Sequence, residues 1–313
     1  MKMQNYNSKF KNIILGLIIS FILFPTACFG AVLYLEPVEG NYYQGDTFIV
    51  ESRIDTEDEC INVVEANLSF SQDVLEVVDF SRGNSILTFW LKSPTIEQKS
   101  GLVSFIGGIP GGYCGILLGD LGESNLLGKI IFKVKEVSGG LTPAKLEFLD
   151  SSQVLLNDGF GTPAKLTAKG AAFTILPEKL ETPRDEWQEA IEKDNIPPEP
   201  FEAKISQNST IFEGKYFIVF STIDKQTGID HYEIKEGGNA YKAGESPYLL
   251  EDQKLKSKIL VKAVDKAGNE RMAEAVSSGK PFSRRIIPAA VALIFLIILS
   301  WLIYKLTKKL KIL

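Results

Sequence analysis

Histidine is almost absent from this chain: His231 is the only one in 313 residues. One imidazole cannot build a histidine zinc site, and no HExxH motif occurs. A Ser-His-Asp arrangement would have to use His231, and no G-x-S-x-G elbow is present to carry the serine. Phosphate-cradling loops are lacking as well. The stretch Gly107 to Gly115 has no P-loop lysine and reads as a tight loop. Gly159-Phe160-Gly161-Thr162-Pro163-Ala164 loosely matches a dinucleotide fingerprint, but no helical pattern follows and Pro163 sits badly there, so it reads as a turn. No basic stripe appears outside the C-terminal tail, and the net charge of −5 argues against a nucleic-acid partner. No EF-hand-like repeat is present. Asp55, Glu57, Asp58 and Glu59 form an acidic run that could make a weak calcium loop, or simply solvated loop charge. Acidic residues are numerous enough for a glycosidase pair, yet no two stand out. The expectation is a protein that is not an enzyme, with no metal and no cofactor.

Long apolar runs are confined to the two ends. Lys2, Lys9 and Lys11 precede the apolar run Ile13 to Phe24, and small residues follow around Ala27 to Ala31. That order reads as a secretory signal peptide over residues 1–30, cleaved after Gly30. Cys28 offers a second reading as a lipoprotein acceptor, with Pro25 where an aliphatic residue belongs. At the other end Ile286 to Tyr304 is interrupted only by Pro288 and Ser300. As a helix it spans about 28 Å, close to the hydrocarbon core of a bilayer. Trp301 and Tyr304 suit the interface, and Lys305, Lys308, Lys309 and Lys311 suit a cytoplasmic tail over 305–313. The expected protein is single-pass in the cell membrane with its ectodomain outside.

Between these ends lie about 250 residues, enough for two domains. Cysteine is also sparse there: Cys60 and Cys114 are the two in the ectodomain. In an oxidising compartment they can pair, or they can remain two buried thiols; spacing does not decide.

Residues 31–176 carry a period of two. Phe48, Val50 and Ile54 alternate with Thr47, Glu51 and Arg53. Val64, Ala66, Leu68 and Phe70 alternate with Val63, Glu65, Asn67 and Ser69, and Ile130, Phe132 and Val134 with Ile131, Lys133 and Lys135. Each pattern predicts a strand with one buried and one mostly wet face. Turn clusters separate them at Glu39-Gly40-Asn41, Ser81 to Asn84, Gly107 to Gly112, Ser138 to Gly140 and Asn157-Asp158-Gly159. Many short strands with glycine turns predict an all-β sandwich or jelly roll.

Gly45-Asp46-Thr47-Phe48-Ile49-Val50, the stretch LSFSQDVLEVV from Leu68 to Val78, GKIIFKVK from Gly128 to Lys135, and Asn157-Asp158-Gly159 occur in an order that resembles cohesin domains. The resemblance covers most of residues 32–176. It implies a jelly-roll binding module, shared in architecture with a group of cellulose-binding modules. Its expected ligand is therefore a dockerin-containing protein or a polysaccharide.

Residues 177–202 change to an acidic, proline-punctuated linker. Thr182 is the expected N-cap of a short helix, with Pro183 at its first position and Trp187 and Ile191 on one face. Trp187 is expected to pack on a neighbouring module. Residues 203–278 return to strands: Tyr216, Ile218 and Phe220 alternate with Phe217, Val219 and Ser221, and Ile259, Val261 and Ala263 with Leu260, Lys262 and Val264. DKQTGIDHY from Asp224 and KAVDKAGN from Lys262 resemble bacterial immunoglobulin-like or fibronectin-type-III-like modules, which implies a smaller β-sandwich acting as a spacer. His231 is expected to be an ordinary strand residue beside Tyr232.

In cohesins the dockerin lies on an outer sheet face that includes the strand resembling Val63 to Phe70. The carry-over makes Val63, Glu65, Asn67 and Ser69 the expected partner-binding residues. Glu65 and Asn67 would supply a carboxylate and an amide. Asn67 also opens Asn-Leu-Ser, a glycan acceptor pattern. Trp90 is the rival, as an indole that could stack on a sugar ring. A structural envelope protein or adhesin without a dockerin partner is the other reading of the chain.

Overall fold

The computed structural model describes residues 30–115, 125–137, 139–177 and 182–277. The expected signal peptide, membrane helix and basic tail lie outside these residues. Among the described residues no helix is long and apolar enough to cross a membrane. The chain divides into two compact units. The first holds described residues to 200 together with 222–232 and 262–271; the second holds 201–221, 233–261 and 272–277.

The first unit is built on strands β1 (Ala31–Glu36), β2 (Glu39–Tyr43), β3 (Thr47–Asp55), β4 (Ile61–Phe70), β5 (Leu75–Ser81) and β6 (Phe89–Glu97). They are followed by β7 (Leu102–Tyr113), β8 (Leu126–Val134), β9 (Thr142–Phe148), β10 (Gln153–Leu156), β11 (Leu166–Lys169) and β12 (Ala171–Leu176). One sheet has the order β11-β1-β3-β8-β5; the other has β2-β12-β9-β4-β7-β6, with β10 also on β4. Most pairs are antiparallel. The β1–β11 and β12–β2 pairs are parallel and bring the two ends of the unit side by side.

Both sheets turn one side to a common apolar core. Val64, Ala66, Leu68 and Phe70 of β4 are 0%, 0%, 1% and 7% exposed, which is the inward half of the alternation. Phe48 sits at the centre, stacked on Tyr42 at 3.8 Å and edge-on to Phe173 at 5.3 Å. Such offset and edge contacts add about 0.5–1.5 kcal/mol each to simple burial. Ile131 departs from the expected wet face: it is fully buried. It stands opposite Ile49, whose N–H donates to the Glu186 carboxylate at 3.1 Å, so the linker helix covers this patch.

That helix, α1 (Glu186–Lys193), starts later than expected. Asp185, not Thr182, is its cap, accepting from Gln188 N–H at 2.8 Å, and Pro183 lies outside it. The reason is a competing set of bonds. Arg184 N–H donates to Asp46 Oδ1 and Arg184 C=O accepts from Thr47 N–H, both at 2.8 Å, which holds 184–185 extended along β3. Trp187 is buried on the same unit.

The remaining strands are β13 (Ala203–Asn208), β14 (Ile211–Val219), β15 (Ile229–Glu236), β16 (Lys242–Ala243), β17 (Tyr248–Leu249), β18 (Ile259–Asp265) and β19 (Glu270–Ser277). Their order is β16-β15-β18-β19-β13-β14-β17, and β13 runs parallel to β19. Ile218, Ile259, Val261 and Ala263 are buried as the alternation implies. Phe217 and Val264, expected on the wet side, are buried too. Phe217 packs on Phe212 with ring centroids 5.6 Å apart, so both sides of β14 are covered there. His231 lies within β15, with Nδ1 2.6 Å from Asp230 Oδ2.

Candidate functional site

The four residues Val63, Glu65, Asn67 and Ser69 occupy the outer side of β4, each half-buried. Residues directly opposite in an antiparallel ladder share a face, so the registers define what surrounds them. Leu155, Val63, Gly108 and Phe89 form one row across β10, β4, β7 and β6. The next row is Gln153, Glu65, Ile106 and Lys92, and the third runs Asn67, Ser104, Thr95. Ser69 stands between Glu147 and Leu102 in the fourth. The face therefore grades from apolar at one end to polar at the other.

Polar groups on the face are partly engaged with one another. Asn67 Nδ2 donates to Glu65 Oε1 at 3.3 Å and to Ser151 C=O at 3.2 Å, and Ser69 Oγ donates to Glu147 C=O at 3.3 Å. Lys92 Nζ donates to Ser104 Oγ at 2.9 Å. The apolar end is the more open. Phe89 is 58% exposed and Leu91, at a register shift of β6, is 59%. Beyond β10, Phe160 is 91% exposed at the tip of a loop closed by a Leu156 N–H to Thr162 C=O bond of 2.8 Å. Asp158 accepts from Phe160 N–H in that loop, and the Thr162 side chain holds its carboxyl below the usual range. Local alternation predicted the β4 residues. It could not predict Leu155, Ile106, Lys92 or Phe89, which join them only through long-range register.

Trp90 is on β6 but is half-buried against the core. Its ring lies edge-on to Phe80 at 6.1 Å and tilted against Phe105 at 5.8 Å, and the Arg82 guanidinium sits 4.6 Å above it. Cys60 and Cys114 are joined, with an S–S distance of 2.02 Å. Their bridge ties the start of β4 to the end of β7, beside the apolar row. Asp55, Glu57 and Asp58 are exposed, and Glu57 accepts from Gly30 N–H at 3.2 Å.

A second cluster was not anticipated. Asp194, Asp224 and Asp265, all in the first unit, are buried with carboxylate oxygens within 4.8 Å of one another. Their oxygens accept from neutral donors: Asp194 from Thr227 Oγ1 at 2.5 Å, Asp224 from Gly228 N–H at 2.9 Å, Asp265 from Asn269 N–H at 2.8 Å. Burial raises the Asp224 pKa, and the neighbouring Asp194 and Asp265 add to this. Chemically this is an all-oxygen set of the kind that hard divalent cations take. The sequence signal was present: Asp224 and Asp265 open the DKQTG and DKAGN turns. Only the fold brings Asp194 of the linker to them. Separately, a cleft of about 770 Å³ is lined by Tyr43, Glu76, Lys133, Lys135 and Arg184 among others. Tyr42 also lines it, and its phenol pKa is pushed up to about 12 by burial and by Glu186.

No protein-family model matches the chain, and no curated protein matches it. Solved structures similar to it are cohesin modules that cover about half of it. A type I cohesin–dockerin complex from Clostridium thermocellum gives 16% identity and a TM-score of 0.37, covering 49% of this chain and 98% of its own. The sixth cohesin of Acetivibrio cellulolyticus scaffoldin B, in complex with a Cel5 dockerin, gives 15% and 0.35, covering 48% and 99%. A cohesin module of a family 33 glycoside hydrolase from Clostridium perfringens gives 15% and 0.33, covering 51% and 100%.

Proposed function

We propose that this chain is a non-enzymatic cell-surface binding protein whose first module acts as a cohesin-like receptor for a dockerin-bearing protein. The observation that carries this reading is the outer face of β4. The residues that the sequence resemblance selects as partner-binding, Val63, Glu65, Asn67 and Ser69, share one face with Ile106, Lys92 and the exposed Phe89. A face with an apolar end and a polar, hydrogen-bonding remainder suits a protein partner. The signal peptide over residues 1–30 and the helix over 286–304 would export and anchor it. The second module, with its first strand β13 beside its last strand β19, reads as the immunoglobulin-like spacer. Polysaccharide is the alternative ligand; Trp90, its expected platform, has Arg82 over its ring, which favours the protein partner.

The test is calorimetric titration of the protein with a panel of purified, calcium-loaded dockerins. Binding of at least one, weakened about tenfold or more by Glu65→Ala with Asn67→Ala, is the expected result. Retention on polysaccharide with no dockerin bound would move the function to the alternative.

A further inference from the structure

The chain holds two Asn-x-Ser/Thr triplets, Asn67-Leu68-Ser69 and Asn208-Ser209-Thr210. A glycan on such a triplet is joined through the asparagine side-chain nitrogen, and its bulk confines it to the surface. The nitrogen must be free to react, and the hydroxyl two positions on must be presented with it. The two triplets differ on both counts. Asn67 lies within β4, which is paired along both edges. Its Nδ2 donates to Glu65 Oε1 and to Ser151 C=O, and Ser69 Oγ donates to Glu147 C=O. Nitrogen and hydroxyl are both committed, and the strand cannot leave the sheet without breaking its ladders.

Asn208 is the last residue of β13 and pairs with Ile211, the first of β14, so Ser209 and Thr210 make a two-residue turn. All three residues of the triplet are exposed. Thr210 N–H and Oγ1 both donate to Asn208 Oδ1, at 2.8 Å and 2.7 Å. Oδ1 takes both bonds, so Nδ2 has no hydrogen-bond partner among the described residues, and the threonine hydroxyl stands against the same carboxamide. Phe212, Glu213 and Gly214, with φ of +52°, +55° and +78°, lie outside the ladder, which resumes where Tyr216 meets Gln207. Among the described residues β19 pairs with β13 only from Ala203 to Ile205, and β17 with β14 only at Phe217 and Ile218. The tip thus projects past both neighbouring strands, where a bulky group meets no backbone partner.

We propose that Asn208 is an N-glycan acceptor in the folded protein and that Asn67 is not; the access of Asn208 to a glycosylating compartment rests on the export read above. The co-reactant is an oligosaccharide carried on a polyprenyl phosphate or pyrophosphate. Asn208 Nδ2 attacks the anomeric carbon, and the bond from that carbon to the phosphate oxygen breaks. The lipid phosphate leaves with the bonding pair, and the proton displaced from Nδ2 passes to a base of the transferase. The product is an N-glycosidic bond on the β13–β14 turn of the second module.

The experiment has two arms. In the first, folded full-length protein made in cells without N-glycosylation is incubated with a lipid-linked oligosaccharide and a purified single-subunit oligosaccharyltransferase that accepts Asn-x-Ser/Thr. Trypsin then releases the peptide Ile205–Lys215 for mass spectrometry. That peptide should gain the oligosaccharide mass, with fragments placing it on Asn208, while the peptide holding Asn67 should gain none. Asn208→Gln and Thr210→Ala should each lose the gain, and Thr210→Ser should keep it. An unmodified Ile205–Lys215, sugar on Asn67 of the folded protein, or sugar that survives Asn208→Gln overturns the acceptor. In the second arm the same peptide is read from protein taken from the membranes of its source cells, alongside protease treatment of those cells intact. Sugar on Asn208 supports the proposal, and a protease-accessible ectodomain without it overturns the proposal. An ectodomain shielded from external protease refutes export instead, and the first arm then decides the acceptor alone.

Discussion

Lys266 Nζ lies 2.8 Å from each carboxylate oxygen of Asp79, across 187 positions of sequence. The two side chains are only 15% and 30% exposed. A pair this enclosed is worth more than a surface ion pair, and removing one member strands the other. Asp79→Asn should lower stability by about 1–3 kcal/mol, read from urea denaturation of the protein. A loss within error would mean that water replaces the pair without cost.

Val64 and Val63 are adjacent, yet one is fully buried and the other lies on the outer side of β4. Val64→Ala should cost about 2–3 kcal/mol, through lost burial and the cavity left behind. Val63→Ala should cost less than about 1 kcal/mol. Equal costs for the two would contradict the register of β4.

Gly228 has a φ of +87°, and a Cβ there would meet Gly83 N at 2.8 Å and Ser81 Oγ at 3.0 Å. Gly228→Ala should therefore destabilise by about 2–4 kcal/mol, since left-handed strain and a backbone collision add. Gly159 has a φ of +78° with nothing within 4 Å of the same position. Gly159→Ala carries the strain alone, about 1–2 kcal/mol. Thermal melts of the two variants side by side measure the collision by difference.

The raised pKa of Asp224 gives the protein a signed pH dependence. A carboxyl whose folded value lies above its unfolded value contributes stability in its protonated form. That contribution is complete below the unfolded pKa and is lost as pH rises through the raised folded one. Asp224→Asn should remove this loss, so the variant's melting temperature should gain on wild type as pH rises from about 4 to 8 in chelator-containing buffer. A constant difference across that range would show that Asp224 does not titrate there.

Export can be checked on intact cells. External protease should remove epitopes placed between residues 31 and 283 and spare a tag beyond Lys305. Full protection of the first region would refute an outward-facing ectodomain.

Much of the sandwich was legible because burial on one side of a strand leaves a period-two trace, as in Val64 to Phe70. What escaped was set by partners distant in sequence. Ile131 breaks its alternation because a helix more than fifty positions away covers it. Thr182 carries the chemistry of a helix cap, but Asp46 captures the next turn's backbone and moves the start to Asp185. The candidate face was half legible for the same reason: one strand names its own outward residues, while Leu155 and Phe89 arrive by register. The aspartate cluster was invisible as a cluster, since its members sit in three separate turns.

The parallel pairing of β1 with β11 and of β2 with β12 also sets the order in which the module can come into being. Ala31 waits for Leu166, and Glu39 waits for Ala172. β1 finds β3 early, but its other edge and the ladder of β2 wait for the last strands of the sandwich, and ladders this long-ranged close slowly. A chain threaded across a membrane from its N-terminus would pass through unfolded, and the module would assemble on the far side only after its final strand had emerged.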